Sequence, residues 1–161
     1  MEASKCIEEK IKKIASEIEP ELIQIPGLEI TEHVAGGSGI VALMHGKKDT
    51  GKNILLRADI DALPIEEPGE YEYKSQNHGQ MHACGHDGHA TWIIGAAKIL
   101  SELRDEFGGT VKFVFQPGEE VGKGADTLIR EDKVLENPKV DMAFAAHGWP
   151  SVESGKIGIA R

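Results

Sequence analysis

The first apolar pattern along the chain is helical. Isoleucines recur at three- and four-residue spacing, with lysines and glutamates on the opposite positions: Ile7, Ile11, Ile14 and Ile18. One apolar stripe surrounded by charged residues is the pattern of an amphipathic helix. We therefore predict a helix over residues 4–19 that ends at Pro20, followed by a turn at Pro26 and Gly27.

Beyond this helix the pattern changes to short apolar runs with the length of strands. Four runs qualify: residues 39–44, 53–58, 110–115 and 141–146. Residues 90–103 are apolar at helical spacing, and residues 125–130 form a second, shorter helical segment. Strands that alternate with helices predict an α/β fold, in which a mostly parallel sheet is flanked by helices. The polar, turn-rich residues 68–80 are expected to be a surface loop.

Length and composition fit one soluble globular domain. The 161 residues are 40% hydrophobic and 28% charged, and no apolar run approaches the ~20 residues of a membrane span. The formal net charge is −9, which argues against nucleic acid and anionic lipid as partners. The charged N-terminus is unlike an export signal, and the two cysteines, Cys6 and Cys84, are too few for a disulfide framework. We expect a cytoplasmic protein that acts on small molecules.

The densest group of reactive side chains lies in residues 82–89. Three of the seven histidines, one of the two cysteines and an aspartate fall there: His82, Cys84, His86, Asp87 and His89. A lone histidine would more simply be a solvated loop residue, but this density favours a metal site. A structural zinc site needs four closed nitrogen or sulfur ligands, and the chain has too few thiolates for that. A hydrolytic site with open coordination positions is therefore favoured.

Acidic side chains and one further histidine follow the predicted strands. Glu119 and Glu120 come after a Pro-Gly turn, where one carboxylate can coordinate a metal while its neighbour takes a proton from water. Asp59 and Asp61 follow another strand, where an aspartate can accept the second ring N–H of a ligand histidine. His147 ends the last strand. Solvated loop acids and a structural histidine are the plain alternatives, but the shared position at strand ends favours one common site.

Four motifs occur together and in a fixed order: RADIDALP at 57–64, HACGHDGH at 82–89, QPGEE at 116–120 and AHGWP at 146–150. With these motifs the chain, from about residue 28 to its end, closely resembles the dinuclear metallo-amidohydrolases. That family includes hippurate hydrolases, N-acyl-amino-acid amidohydrolases, indoleacetyl-amino-acid hydrolases and their aminoacylase and carboxypeptidase relatives. The resemblance implies a zinc-aminopeptidase-like catalytic domain.

The resemblance also implies a role for each matching residue. The positions that match metal ligands are Cys84, His86, Glu120 and His147. They imply a site for two divalent ions, and a Cys/His/carboxylate set accepts Zn, Mn, Co or Ni. Glu119 resembles the general base and Asp61 the acid that supports the metal site. The implied reaction is hydrolysis of the amide bond of an N-acyl amino acid, in which Glu119 takes a proton from the activated water and passes it to the leaving amine. A bridging thiolate from Cys84 distinguishes this branch from relatives with a carboxylate there.

Two departures from the family pattern concern completeness. Members usually carry an Arg-Arg-x-x-His-x-x-Pro-Glu-like segment after the first helix, where this chain has Glu19-Pro20-Glu21-Leu22. The sequence also stops at Arg161, where the family continues into a lid or dimerisation domain before the catalytic domain resumes with another His ligand. We therefore expect residues 1–161 to be the N-terminal part of the metal-binding catalytic domain, and full-length relatives to be homo-oligomers. Two alternatives stay open: a fragment that binds metal without turnover, and a hydrolase with Cys84 as its nucleophile.

Overall fold

A computed structural model describes residues 14–159, apart from the side chains of Thr31 and Glu32. In chain order, the elements in this range are α1 (residues 14–23), β1 (Leu28–Val34), a 3-10 turn (Ala35–Gly37), β2 (Gly39–His45), β3 (Ile54–Asp59), α2 (His86–Glu102), β4 (Thr110–Gln116), α3 (Gly124–Arg130) and β5 (Met142–Ala145). None of the helices in this range combines the length and the apolar character needed to cross a membrane.

The five strands form one mixed sheet in the order β1-β2-β4-β3-β5. β2 pairs antiparallel with β1 and β4, whereas β3 pairs in parallel with β4 and β5. The α/β fold expected from the sequence is confirmed, but the sheet is mixed where a mostly parallel one was expected. The 3-10 turn accounts for part of this difference, because so short a connection joins neighbouring strands only in antiparallel.

The four predicted strands are all present, each within one residue of its expected limits. β1 is an addition that the pattern did not predict. Its sequence alternates apolar and polar residues around Leu28 and Ile30, but a register shift against β2 between Ile30 and Glu32 ends the alternation. Residues 68–80 form the surface loop that was expected, without helix or strand.

The first helix continues past Pro20, so the prediction that it ends there is wrong. Residues 14–23 are helical, while residues 4–13 of the predicted helix lie outside the described part of the chain. Proline removes one backbone donor at a cost of about 3 kcal/mol within a helix. Continuing the helix buries Leu22 completely and brings Ile25 (3% exposed) against the core. Burial of such side chains stabilises by about 1.5–3 kcal/mol each, which offsets the effect of the proline.

Apolar side chains pack on both faces of the sheet. On one face α1 and α2 cover a cluster whose fully buried members are Leu22, Ile40, Ala42, Met44, Ala97, Phe113 and Phe115. On the other face α3 contributes to a smaller cluster of Val34, Val41, Leu55, Val114, Leu128 and Val134. β4 is buried along its whole length, whereas every residue of the edge strand β5 is exposed. Among the described residues, the sheet therefore has a fully buried central strand, β4, and an exposed edge strand, β5.

Candidate metal centre

The parallel strands β4, β3 and β5 have their carboxyl ends side by side, and these strand ends form the carboxyl edge of the sheet. Asp59 pairs with Gln116 at the ends of β3 and β4, and Arg57 pairs with Ala145 at the end of β5. The segments beyond these ends, together with the start of α2, carry the predicted site residues: Asp61, Cys84, His86, Glu119, Glu120 and His147. Residues that are far apart in sequence are therefore neighbours at the carboxyl edge, where functional residues of α/β sheets gather.

His86 is the central side chain of this region. It is the first residue of α2 and is fully buried. Its Nδ1–H donates to the backbone carbonyl oxygen of Asp61 at 2.9 Å. Because a carbonyl only accepts, the proton lies on Nδ1 and the Nε2 atom carries a lone pair.

The Nε2 atom of His86 is buried and has no hydrogen-bond partner among the described residues. The nearest carboxylate oxygens lie at 3.7 Å on Asp59, 3.8 Å on Glu120 and 4.0 Å on Glu119. A buried acceptor without a partner costs about 1–3 kcal/mol. Ionised carboxylates do not remove this cost, because they carry no proton to donate to the nitrogen. A cation between the nitrogen and the carboxylates would satisfy all of these groups, so the residues present fit a metal ion.

Cys84 and His147 also lie close to His86, with their potential ligand atoms within 4.8 Å of one another. The Sγ atom of Cys84 lies 3.6 Å from Nε2 of His147. The Nδ1–H of His147 donates to the carbonyl oxygen of Gly148 at 2.7 Å, which leaves the lone pair of Nε2 facing the thiol. Gly85, in the left-handed conformation with φ +85°, turns the chain between Cys84 and α2.

Three groups of potential ligands among the described residues share His86, and two of them contain the predicted ligands; the third is Asp59, His86 and His89. Cys84, His86 and His147 form one group, and His86, Glu119 and Glu120 form the other; within each, the ligand atoms lie within 4.8 Å of one another. Ions held at about 2.0–2.3 Å by nitrogen, oxygen and sulfur keep their ligands a few ångströms apart. The arrangement thus offers two adjacent positions for divalent ions.

The charges around Cys84 disfavour a free thiolate. Burial raises the pKa of the Cys84 thiol, and its hydrogen bond to Glu120 and the negative charges of Glu120, Glu119 and Asp59 raise it further. Nucleophilic cysteines instead have a lowered pKa, beside cationic groups. A bound divalent cation reverses this balance, because a coordinating thiol is deprotonated outright.

Asp61 joins the end of β3 to the loop that carries the two glutamates. Its Oδ2 accepts the backbone N–H of Glu120 at 3.1 Å. Its Oδ1 is buried without a hydrogen-bond partner among the described residues and lies 3.3 Å from Nδ1 of His86. The sequence suggested that an aspartate carboxylate would accept the ring N–H of a ligand histidine; in the structure the main-chain carbonyl of Asp61 accepts it.

Asp59 and His89, which the sequence offered as a strand-end acid and as a member of the histidine cluster, form a second buried pair that was not predicted. They are 1% and 2% exposed, and Nδ1–H of His89 donates to Oδ1 of Asp59 at 2.5 Å. Nη1 of Arg57 donates to Oδ2 of Asp59 at 2.7 Å. Burial acts to raise the pKa of Asp59, but the hydrogen bond from His89 and the charge of Arg57 outweigh it and hold the pKa below its ordinary value. The signal available in sequence was the three-residue spacing of His86 and His89, which places both on one face of a helix.

The sheet edge lined with cysteine, histidine and carboxylate groups defines an α/β domain with a candidate metal centre. A sequence model described as peptidase family M20/M25/M40 matches residues 55–160, and the chain belongs to this family. This confirms the resemblance drawn from the four motifs. The N-acyl-L-amino acid amidohydrolase of Geobacillus stearothermophilus is 42% identical over 122 residues, which are 76% of this chain and 32% of that protein. The N-acetylcysteine deacetylase of Bacillus subtilis is 40% identical over 150 residues, which are 93% of this chain and 36% of that protein.

A solved structure shares the fold. The crystal structure of the YXEP protein of Bacillus subtilis, described as a dinuclear metal binding peptidase from the M20 family, matches with a TM-score of 0.83. It is 39% identical, and the match covers 92% of this chain and 40% of that chain. The chain therefore spans about a third of the length of the two curated relatives, 32% of one and 36% of the other.

Proposed function

We propose that this chain supplies the metal-binding part of an enzyme that hydrolyses the amide bond of N-acyl amino acids. The observation that carries the proposal is the buried, unpartnered Nε2 atom of His86, which lies between carboxylates and the Cys84–His147 pair. The names of the two relatives, an N-acyl-L-amino acid amidohydrolase and an N-acetylcysteine deacetylase, support this class of small substrate. A reducing compartment such as the cytoplasm suits the free thiol of Cys84.

Four residues are proposed to hold two divalent ions: Cys84, His86, Glu120 and His147. Their sulfur, nitrogen and oxygen donors suit Zn, Mn, Co or Ni. When bound, such ions supply Lewis acidity toward the amide carbonyl and lower the pKa of water toward neutrality. The deeper position of Glu120 supports its role as a ligand, because its N–H is fixed by Asp61 and its side chain is 27% exposed against 42% for Glu119.

Glu119 is proposed as the general base. Its more exposed carboxylate can receive a proton from a water molecule as that water adds to the amide carbon. Glu119 then gives the proton to the amide nitrogen as the carbon–nitrogen bond breaks, so that the products are a carboxylate and an amino acid with a free amine. Asp61 is proposed to support the site by fixing the main chain of Glu120 and the ring of His86.

The test is an assay of N-acetyl and N-benzoyl amino acids after removal of bound metal and addition of Mn²⁺, Co²⁺ or Zn²⁺. The proposal expects release of the free amino acid that depends on metal and stops in EDTA. Metal that binds without any release would support the alternative of a metal-binding chain without turnover. Activity that resists EDTA and is lost on thiol alkylation would instead point to Cys84 as nucleophile. The raised pKa of the Cys84 thiol counts against that outcome.

A further inference from the structure

The imidazole of His89 connects two parts of the site that are distant in sequence. Its Nδ1–H donates to Oδ1 of Asp59 at 2.5 Å, and its Nε2 accepts the backbone N–H of Gly148 at 2.9 Å. The donor to Asp59 fixes the tautomer, because Nδ1 then carries the proton and Nε2 is the acceptor. Asp59 is itself held by Arg57, whose Nε donates to Gln116 at 2.9 Å.

Gly148 is held on both sides by histidines. Its N–H donates to His89, and its carbonyl oxygen accepts from Nδ1–H of His147 at 2.7 Å. The rings of His89 and His147 are also in contact, with their centroids 4.4 Å apart. The position of Gly148 therefore sets the direction of the Nε2 atom of His147, which faces Cys84 at 3.6 Å.

The segment that carries His147 has little other support within residues 14–159. Every residue of β5 is exposed, and the pairing of β5 with β3 ends at Ala145. His147 is exposed as well. Among the described residues, the hydrogen bonds that join residues 146–150 to another element run to His89 and Cys84.

We propose that His89 is a positioning residue: it holds Gly148 so that the Nε2 atom of His147 points at the metal centre. His89 is not itself a ligand in this proposal, because the lone pair of its Nε2 is already engaged by Gly148. Although Asp59, His86 and His89 also form a group with ligand-like atoms, the hydrogen bonds of His89 account for both of its nitrogens. This proposal rests on the proposed function, because the orientation of His147 matters for metal binding only if His147 is a ligand.

The first test needs no metal. Hydrogen exchange of the Gly148 amide is followed by NMR in the metal-free chain and in the His89→Phe and His89→Gln variants. Phenylalanine keeps a flat ring against His147 but cannot accept, whereas glutamine keeps an acceptor. We expect exchange to accelerate about tenfold in His89→Phe, as for loss of one hydrogen bond, and less in His89→Gln. His78→Phe is the matched control, since the side chain of His78 is fully exposed.

An unchanged exchange rate in a folded His89→Phe chain, judged by circular dichroism, would overturn the proposal. So would equal acceleration at Gly148 and across the amides of β4, because that pattern reports a general loss of stability. If His89→Phe does not fold, the Gly148 amide of His89→Gln decides the question. Exchange slower than that of an unprotected amide supports the proposed hydrogen bond between residue 89 and Gly148, and exchange as fast as that of an unprotected amide overturns it.

The second test is a double-mutant cycle read by Co²⁺ affinity. We expect His89→Phe to weaken Co²⁺ binding about tenfold in the wild-type background, as for other partners that orient ligands. In a His147→Ala background the same change should have little effect, because no ring remains to be aimed. Equal losses in both backgrounds would overturn the proposal. A wild-type chain that binds no Co²⁺ would overturn the proposed function instead, and the exchange of the Gly148 amide would still decide whether His89 holds the loop.

Discussion

The candidate metal centre has two sides that differ in how they are held. Its buried wall consists of Asp59, Asp61, His86 and His89, which are between 0% and 6% exposed. Its exposed wall consists of Glu119, Glu120 and His147, which are exposed, and of Cys84, which is half-buried; all four come from loops. The buried wall is built on the end of β3 and the first turn of α2, two elements that pack in the core. The exposed wall takes its position largely from the buried one.

Two hydrogen bonds show this dependence. Asp61 accepts the N–H of Glu120, and His89 accepts the N–H of Gly148 beside His147. The side chains of the exposed wall thus lie on loops, and residues of the buried wall fix their orientation. Changes in the exposed wall should alter metal binding and turnover with little effect on stability, whereas changes in the buried wall should lower stability as well.

The largest expected effect is on turnover, from a change in the exposed wall. Glu119→Gln should lower kcat by about 10²–10⁴-fold, because the variant lacks the carboxylate proposed as the base. Its metal content should stay near that of the wild type, whereas Glu120→Gln should lose metal. Turnover and metal content by elemental analysis check this together. Equal metal loss in the two variants would show that the roles of the two glutamates are wrongly divided.

The next effect is on stability, from a change in the buried wall. Asp59→Asn should lower the free energy of unfolding by roughly 3 kcal/mol, because it leaves Arg57 without its buried partner. Denaturant unfolding measures the change. The control is Glu120→Gln in the exposed wall, which should stay within about 0.5 kcal/mol of the wild type when both are measured metal-free, so that no bound ion contributes to stability.

The Asp59–Arg57 pair also predicts how the stability of the chain responds to acid. Because the pKa of Asp59 is lower in the folded chain than its ordinary value, the ionised form stabilises the fold above that ordinary value. This stabilisation should be lost as the pH falls through the folded pKa of Asp59, and Asp59→Asn should lack that part of the acid sensitivity. If the wild type and Asp59→Asn lose similar amounts of unfolding free energy between about pH 5 and pH 2, Asp59 does not contribute to the acid response.

A smaller effect concerns the reactivity of Cys84 without metal. Burial and, after it, the neighbouring glutamates raise the pKa of its thiol, so alkylation at neutral pH should be slower than for an ordinary cysteine and should accelerate as the pH rises. Glu120→Gln removes one acceptor and one negative charge, so it should lower the pKa and speed alkylation severalfold. Rates with iodoacetamide are best compared in a Cys6→Ser background, where Cys84 is the one remaining thiol. An unchanged rate would mean that Glu120 does not act on the thiol.

The smallest effect lies outside both walls, in the loop that leads to Cys84. The hydroxyl of Tyr71 donates to Glu67, and this raises the pKa of Tyr71 to about 12. Glu67→Gln should lower that pKa toward the ordinary value of 10.0. Ultraviolet titration of the phenolate, with Tyr71→Phe to assign the signal, checks the shift, and the metal affinity should not change. A titration that is the same with and without Glu67 would remove this contact from the account.

Much of the fold could be predicted because its strands have clear apolar runs. Residues 39–44 and 110–115 lie in strands buried on both faces, so their patterns are continuous. β1 has a weaker signal, since its register shift breaks the alternation. Pro20 misled the prediction because a local rule was overruled by the burial of Leu22, which is a tertiary effect.

The site could be predicted as far as side-chain chemistry marks it. The structure brings the predicted ligand set together, Cys84 and His86 with Glu120 and His147. Their assigned roles stay predictions. The main-chain partners that orient them were not visible in the sequence, because a backbone N–H such as that of Gly148 and a carbonyl such as that of Asp61 occur at every residue. His89 acquires its meaning only from the fold that puts Asp59 on one side of it and Gly148 on the other.

The most direct test of the metal centre is a Co²⁺ titration of the metal-free chain followed by absorption. A ligand set that includes Cys84 predicts a saturable thiolate-to-cobalt charge-transfer band in the wild type and in Cys6→Ser, and its loss in Cys84→Ser. A band that never forms, or one that survives in Cys84→Ser, would contradict the account.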